Sequence, residues 1–378
     1  MQQVPHQVES TGTESALYMA LELGAKRWLV AFGVGAATPS RRHDLPAGDR
    51  AALRETIADA KRRFGLAAAA PVRSCYEAGR DGFWIHRMLA TEGIANAVVD
   101  SASIEVSRRA RHAKTDRLDA DKLLRMLIRY CHGERAVWKV VRVPTREVED
   151  ARHAERALTS LVAERTRQRS RLKALLALHG VQDPIRATFG DRLAHLTDWA
   201  GAPLPAGVTA RVALAWRQLS AVEGEIRLAR QAQRRTVRAA TTPAARRAVH
   251  LHQLRGIRIG SALMLAKEVF VRDLANRRQV GALSGFVAVP YQSGDLARDQ
   301  GISRAGIKAV RRVMVELAWV WVQWQPNSAL TQWYQRRFAT GGPRARRIGI
   351  VALARKLLIA LWRYSEQGIV PAGAVLRG

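Results

Sequence analysis

Residues 111–127 set three carboxylates, Asp116, Asp119 and Asp121, among the cations Arg111, Lys114, Arg117, Lys122 and Arg125. Apolar residues then recur at Leu118, Leu123, Leu124 and Leu127, a spacing that predicts a helix beginning near Asp116. Asp116 and Asp119 are three apart and share a face of that helix. Leu123 continues the face, so both carboxylates are expected to point at the protein. Two carboxylates in a basic surround suit Mg²⁺ held beside a phosphate backbone. They also suit a helix start, where capping and the helix dipole favour Asp. This stretch alone leaves both readings open.

Two more acids sit at the ends of predicted strands. The apolar run 17–23 carries a single acid, Glu22, and burying an unpaired charge costs on the order of several kcal/mol. A metal would remove that cost; so would a strand end that faces solvent. Gly24 allows a turn, and residues 27–32 read as the returning strand. A basic amphipathic helix spans 49–64. Residues 70–76 form the third extended run, followed directly by Glu77. Gly79 and Gly82 open a helix through Phe83, Ile85 and Leu89, and residues 94–99 form the next strand, ending at Asp100. The order is strand, strand, helix, strand, helix, strand, helix, an α/β domain whose acids gather at one sheet edge. Glu22, Glu77, Asp116 and Asp119 are expected to converge there, as in a two-metal phosphodiester nuclease of the ribonuclease-H type. The β-branched run 137–143 reads as a last strand before Pro144, with Thr145 capping the helix that follows.

That helix is expected over 146–179, stopping at Gly180. Ala151, Ala154, Leu158, Leu161, Leu172 and Leu175 form a heptad seam, interrupted at Arg165 and Gln168. A second seam runs through Val212, Ala215, Leu219, Val222, Ile226 and Ala229. Such seams predict a coiled coil, made either within the chain across the linker 181–207 or with a second subunit. Its exposed arginines, Arg167 and Arg171 among them, read as phosphate contacts or as a solvated face. Further on, residues 254–260 followed by an apolar helix resemble a helix-hairpin-helix turn. Gly256 and Gly260 would let backbone amides approach a phosphate at a helix N-terminus. Ser293 stands in a Gln-Ser-Gly turn with Arg298, Arg304 and Lys308 near it in sequence. A serine among cations can attack phosphate covalently, although Ser-Gly is above all a turn sequence. Trp319, Trp321 and Trp324 are expected in a helix core, and residues 344–364 in a basic helix.

Lys and Arg number 62 against 32 Asp and Glu, a net charge of +30 over 378 residues that are 48% hydrophobic. A folded body with such a field attracts polyanions, nucleic acid first. Cys75 and Cys131 lack metal-type or disulfide-framework spacing, and Cys75 reads as a buried thiol. The His250/His252 pair reads as solvated. No apolar run is long enough to span a membrane, and the polar start does not resemble a signal peptide. A reducing, cytoplasmic compartment that contains DNA is expected.

Three short segments and one longer region carry a resemblance to the insertion-sequence 110 family of DEDD transposases. They are Ala20-Leu-Glu-Leu-Gly24, Tyr76-Glu-Ala-Gly79, Ala113-Lys-Thr-Asp-Arg-Leu-Asp-Ala120, and the set Leu254–Gly260, Gly285–Gly294 and Gly301–Gly306. Each is short; their order and spacing are specific, and the match covers nearly the whole chain. The resemblance implies an α/β plus α architecture. Residues 1–15 would be a disordered tail, 16–144 a RuvC-like, ribonuclease-H-fold domain, 145–240 a coiled coil, and 241–378 a small, mostly helical transposase domain. It implies Mg²⁺, or Mn²⁺ in its place, bound by Glu22, Glu77, Asp116 and Asp119, and Ser293 as the nucleophile toward the scissile phosphate, with Ser303 as the fallback. It implies DNA as substrate, a structured noncoding guide RNA, and a dimer or tetramer. Arg117, Arg167, Arg171, Gly256, Gly260, Arg304 and Lys308 would touch nucleic acid. The family has Asp where this chain has Glu22. Two other expectations fit the same residues: a metal-dependent nuclease resembling junction resolvases, and a non-catalytic basic nucleic-acid-binding protein.

Overall fold

Leu17, Met19 and Leu21 alternate with Tyr18 and Ala20, and all are buried. A strand apolar on both faces must be covered on both. The computed structural model, which describes residues 15–35, 38–104, 116–182, 184–293 and 296–377 but not the side chains of 116 and 291–300, shows how. The chain forms two units, divided after Pro144.

In the first unit, β1 (Leu17–Leu23), β2 (Arg27–Gly33), β3 (Arg41–Pro46), β4 (Val72–Glu77) and β5 (Ala95–Val99) form a mixed sheet in the order β3-β2-β1-β4-β5. β2 runs antiparallel to β1 and β3, whereas β1, β4 and β5 are parallel. Helices α1 (Arg50–Arg63) and α2 (Trp84–Thr91) cover the face of Leu17, Met19 and Leu21; α3 (Asp116–Cys131) covers the face of Tyr18 and Ala20. Full burial of each Leu or Met is worth about 1.5–3 kcal/mol, so the alternation commits β1 to the middle of the unit. The strand β3 departs from the expected order. Its Arg-Arg-His-Asp-Leu-Pro sequence has one buried apolar residue, Leu45, and it forms as an edge strand, where charge and proline are tolerated. The run 137–143 is not a strand. It makes one isolated bridge, Val140 to Val99, because Val137 and Trp138 turn into the core under α3 while Val141 and Val143 pack on the other side of the sheet.

The second unit begins with α4 (Arg146–Ala177), capped by Thr145 Oγ1 accepting from Val148 N at 3.3 Å. It pairs with α5 (Ala206–Ala239) within the chain and antiparallel. Glu155 meets Gln233 at 2.7 Å, and 14 positions on Arg169 meets Glu223 at 3.6 Å. Val212, Ala215, Leu219 and Ile226 are buried as the heptad predicts. Part of that seam is filled by Ile185, Phe189 and Leu196 of the connecting segment, which holds a 3₁₀ stretch (Ala187–His195). On α4 the seam is only half apolar. Leu172 is buried, but Ala154 is exposed, and Arg152 and Glu155 are buried in its place. These charges are satisfied by Lys267: Glu155 accepts from its Nζ at 2.9 Å, and Arg152 Nε donates to its backbone O at 3.2 Å.

Helices α6 (Pro243–His252), α7 (Ile259–Glu268), α8 (Arg277–Ser284), α9 (Lys308–Trp324), α10 (Ala329–Tyr334) and α11 (Pro343–Gln367) build one core around Leu263, Met314, Trp321 and Leu357. Trp321 is the only one of the three α9 tryptophans in it; Trp319 and Trp324 are about half exposed. The hairpin β6 (Ala288–Ser293) and β7 (Leu296–Ile302) projects between α8 and α9 in sequence. The histidine pair is structural rather than solvated: His250 stacks on Tyr364 with ring centroids 4.0 Å apart, and His252 Nδ1 lies 2.8 Å from Ile257 O.

Candidate active site

Register places two of the acids. Leu21 pairs with Tyr76 in the parallel ladder, and one step further brings Glu22 beside Glu77 at the carboxyl ends of β1 and β4. Directly across the ladders, Glu22 faces Leu29 and Glu77 faces Val99. Both partners belong to the core under α3, and cross-strand partners share a face. The two carboxylates therefore emerge on the α3 side. Glu22 is half-buried and Glu77 exposed.

Helix α3 runs antiparallel to β1. Tyr18, at the start of β1, lies with its ring centroid 6.0 Å from that of His132, just beyond the end of α3. Cys75, which pairs with Ala20, has its Sγ 3.8 Å from Leu123 O. From Leu123 back to Asp119 the helix rises about 6 Å. From Cys75 on to Glu77 the strand rises about 6.6 Å. Asp119 thus stands level with Glu22 and Glu77, with Asp116 one turn beyond. Asp121, on the same first turns, is used otherwise. It accepts from Ser40 Oγ at 2.8 Å and pairs with Arg42 at 3.4 Å, which ties α3 to the β3 edge. Among the described residues no group of three or more His, Cys, Asp or Glu stands close enough to hold a metal ion; the Asp116 side chain lies outside them. Leu118, expected on the apolar stripe, is half exposed. Cys75 and Cys131 are buried in the core under α3, and that burial pushes both thiols up, Cys75 well above the ordinary range.

Ser293 is the last residue of β6, paired with Leu296 across the hairpin; its side chain lies outside the described residues, as does that of Arg298. The base of the hairpin is fully described. Gly285 ends α8 in the left-handed region, φ 69°. A Cβ on Gly306 would lie 2.5 Å from Gly285 N and 2.6 Å from Leu283 O. The two glycine segments therefore touch backbone to backbone, joined by Ser303 N to Val287 O at 2.8 Å and Ile307 N to Leu283 O at 2.8 Å. Arg311 Nη1 donates to Ser284 O and to Arg304 O, both at 3.1 Å. Nothing in the basic sequence around Arg311 separated it from its neighbours; its part in closing the hairpin is visible only in the fold. Ser303 sits at this base, its Oγ donating to Gly285 O at 3.3 Å.

Of the residues expected on nucleic acid, Arg117, Arg171, Arg304 and Lys308 are exposed. Arg304 has φ 55°, rare for a residue with a side chain. Arg167 is paired with Glu164, Nε to Oε2 at 2.9 Å. Gly256 has a packing reason: its φ is 93°, and a Cβ there would lie 3.2 Å from Trp324 Cβ. Gly260 is the second residue of α7.

The first unit is a mixed sheet with Glu22 and Glu77 at strand ends, and the second unit is helical and carries a hairpin whose first strand ends at Ser293. Residues 248–334 match the family described as "Transposase IS116/IS110/IS902 family". A Sinorhizobium fredii protein named "Putative transposase y4rJ" is 38% identical over 375 residues, 96% of this chain and 95% of its own length. A second from the same organism, "Putative transposase y4qE", is 26% identical over 322 residues, covering 78% of this chain and 75% of its own. The chain belongs to the IS116/IS110/IS902 family of transposases. It is thus a DNA-acting enzyme of an insertion sequence, and no helix among the described residues is long and apolar enough to cross a membrane.

Proposed function

We propose that this transposase cuts and rejoins DNA through a covalent phosphoserine intermediate formed by Ser293. What supports the proposal is membership of a transposase family, with Ser293 as the last residue of β6 and Glu22 beside Glu77 at the carboxyl ends of β1 and β4. That placement supports a RuvC-like first unit. Glu22, Glu77 and Asp119 do not stand close enough to hold an ion as they are, so they would have to draw together, with Asp116, to hold Mg²⁺ or Mn²⁺; the donor set, all carboxylate oxygen, is what a hard dication takes. A bound dication supplies positive charge at a phosphate oxygen. Ser293 Oγ forms a bond to phosphorus, losing its proton to a base or to water. The bridging DNA oxygen leaves and is protonated to a hydroxyl. Attack by another DNA hydroxyl reverses the exchange and releases the serine. One phosphodiester replaces another at each step, so no external energy source is needed. Arg117, Arg171, Arg304 and Lys308 contribute backbone contacts without reading sequence. The same reading includes a structured guide RNA, a homo-oligomer, and action in the cytoplasm on the nucleoid.

The test is a covalent-adduct assay. The protein is expressed with its own flanking DNA and denatured, and attached DNA is measured for wild type, Ser293→Ala and Asp119→Ala. An adduct absent from both variants is expected. An adduct that survives Ser293→Ala overturns the serine step, and cleavage without adduct that depends on Asp119 points to a water-using nuclease.

A further inference from the structure

A cleft of about 700 Å³ opens in the second unit between α4, α5, α7 and α9. Its volume is within the range that takes a small organic ligand. The lining is divided by chemistry. Leu158 and Val162 of α4, Met264 of α7 and Val313 of α9 make an apolar floor. Arg230 and Arg234 of α5, Arg258 ahead of α7 and Arg312 of α9 stand around it. Two carboxylates also face the cleft, and both are engaged. Glu155 is held by Lys267 and Gln233, and Glu316 lies 3.9 Å from Arg312. Among the described residues, Arg230, Arg234 and Arg258 have no carboxylate partner. The first turn of α7 opens on the same cleft, and no side chain caps it. Its free N–H groups add to the arginines' attraction for an anion.

An apolar floor beneath a cationic rim fits an amphipathic anion with a flat apolar body. We propose that the cleft receives one unstacked nucleotide of a single-stranded nucleic acid, its base on Leu158, Val162, Met264 and Val313 and its phosphate among Arg234, Arg258 and the α7 N-terminus. Base contacts of this kind tolerate any sequence, and the phosphate contacts make binding salt-dependent. The proposal rests on the transposase reading only for the supply of nucleic acid; it needs neither Ser293 nor the acids.

The test is carried out without cleavage, on full-length Ser293→Ala protein. Two short single-stranded oligomers of the same sequence, one DNA and one RNA, each carry a single photoreactive iodouracil. After irradiation, the cross-linked peptides are identified by mass spectrometry. A cross-link to α4 residues 158–162 or to α7 around Met264 is expected; whichever oligomer gives it identifies the source of the nucleotide. Arg234→Ala combined with Arg258→Ala is expected to lower that cross-link about tenfold while cross-links elsewhere persist. Val162→Trp, which fills the cleft from a half-buried position, removes it with helix content unchanged by circular dichroism. Cross-links confined to other surfaces such as the exposed Trp319 or Trp199 overturn the proposal, as does a cleft cross-link indifferent to all these substitutions. A protein that gives the cleft cross-link yet forms no covalent DNA adduct in cells would count against the serine step and not against the cleft.

Discussion

Gly306→Ala is the sharpest test of how the hairpin carrying Ser293 is held. The added methyl carbon would lie 2.5 Å from Gly285 N, 2.6 Å from Leu283 O and 2.8 Å from Ser284 C. All three are backbone atoms, so no flexible side chain can move aside. Ordinary contact distances are about 3.5 Å or more, and the two strands of backbone must part by nearly an ångström. Overpacking of this kind costs about 1–3 kcal/mol. The separation also disrupts the bond from Ile307 N to Leu283 O, now 2.8 Å, worth about 1 kcal/mol. A total near 3 kcal/mol should lower the melting temperature of the second unit by about 6–12 °C. Gly207→Ala is the control. It lies in the first turn of α5 with nothing within 4 Å of the new Cβ, and it should leave the melting temperature unchanged or raised. Differential scanning calorimetry reads both. A Gly306→Ala protein that melts within 2 °C of wild type would show that the glycine segments do not press together as described.

Three further outcomes follow from the first unit. Glu92 is held by Arg54 at 2.7 Å and by Arg50, which together pull its carboxyl from 4.5 down to about 2. A depressed acid stabilises the fold fully above its unfolded value and loses that contribution as pH falls through its folded value. The melting difference between wild type and Glu92→Gln should therefore be constant above pH 4.5 and shrink toward pH 2; a difference independent of pH would refute the pairing. Burial raises both thiols, so iodoacetamide at pH 8 should label Cys75 and Cys131 only after unfolding in guanidinium, as mass spectrometry will show. Asp121→Ala loses Ser40 Oγ at 2.8 Å and Arg42 at 3.4 Å. It should cost about 1–2 kcal/mol in chemical denaturation, an effect reproduced in part by Ser40→Ala.

The elements legible in the sequence are those whose pattern matches their burial. The strand 17–23, the helix capped at Asp49 and the long helices after Thr145 and Pro205 all lie where periodicity puts them. The misplaced elements depend on partners distant in sequence. β3 has no apolar alternation and exists because β2 offers it an edge. The β-branched run 137–143 has strand composition, yet Trp138 has a deeper place under α3 than the ladder can give it. The α4 seam looked apolar through Ala151 and Ala154, but the helix turns Arg152 and Glu155 inward because Lys267 and Gln233 meet them. An ion pair across two helices has no signature in either one.

The candidate site divides the same way. Residue type and local spacing singled out Glu22, Glu77, Asp116, Asp119 and Ser293, and the helix start at Asp116 is observed. That Glu22, Glu77 and Asp119 share a level could not be read locally. It depends on a parallel register between β1 and β4, on α3 running the opposite way, and on the near equality of two strand residues and one helical turn in ångströms. The glycines show the converse. Gly256 belongs to a segment whose glycines suggested phosphate contact, and Gly285 and Gly306 to the last motifs of the resemblance, yet each meets backbone or a tryptophan of its own chain. Gly285 and Gly306 bring β6 and β7 together at the base, and Ser293 stands at the other end of that ladder. Substitution at Gly306 should therefore weaken adduct formation through Ser293 position while leaving nucleic-acid affinity intact, whereas loss of the arginines around the α7 cleft should do the reverse.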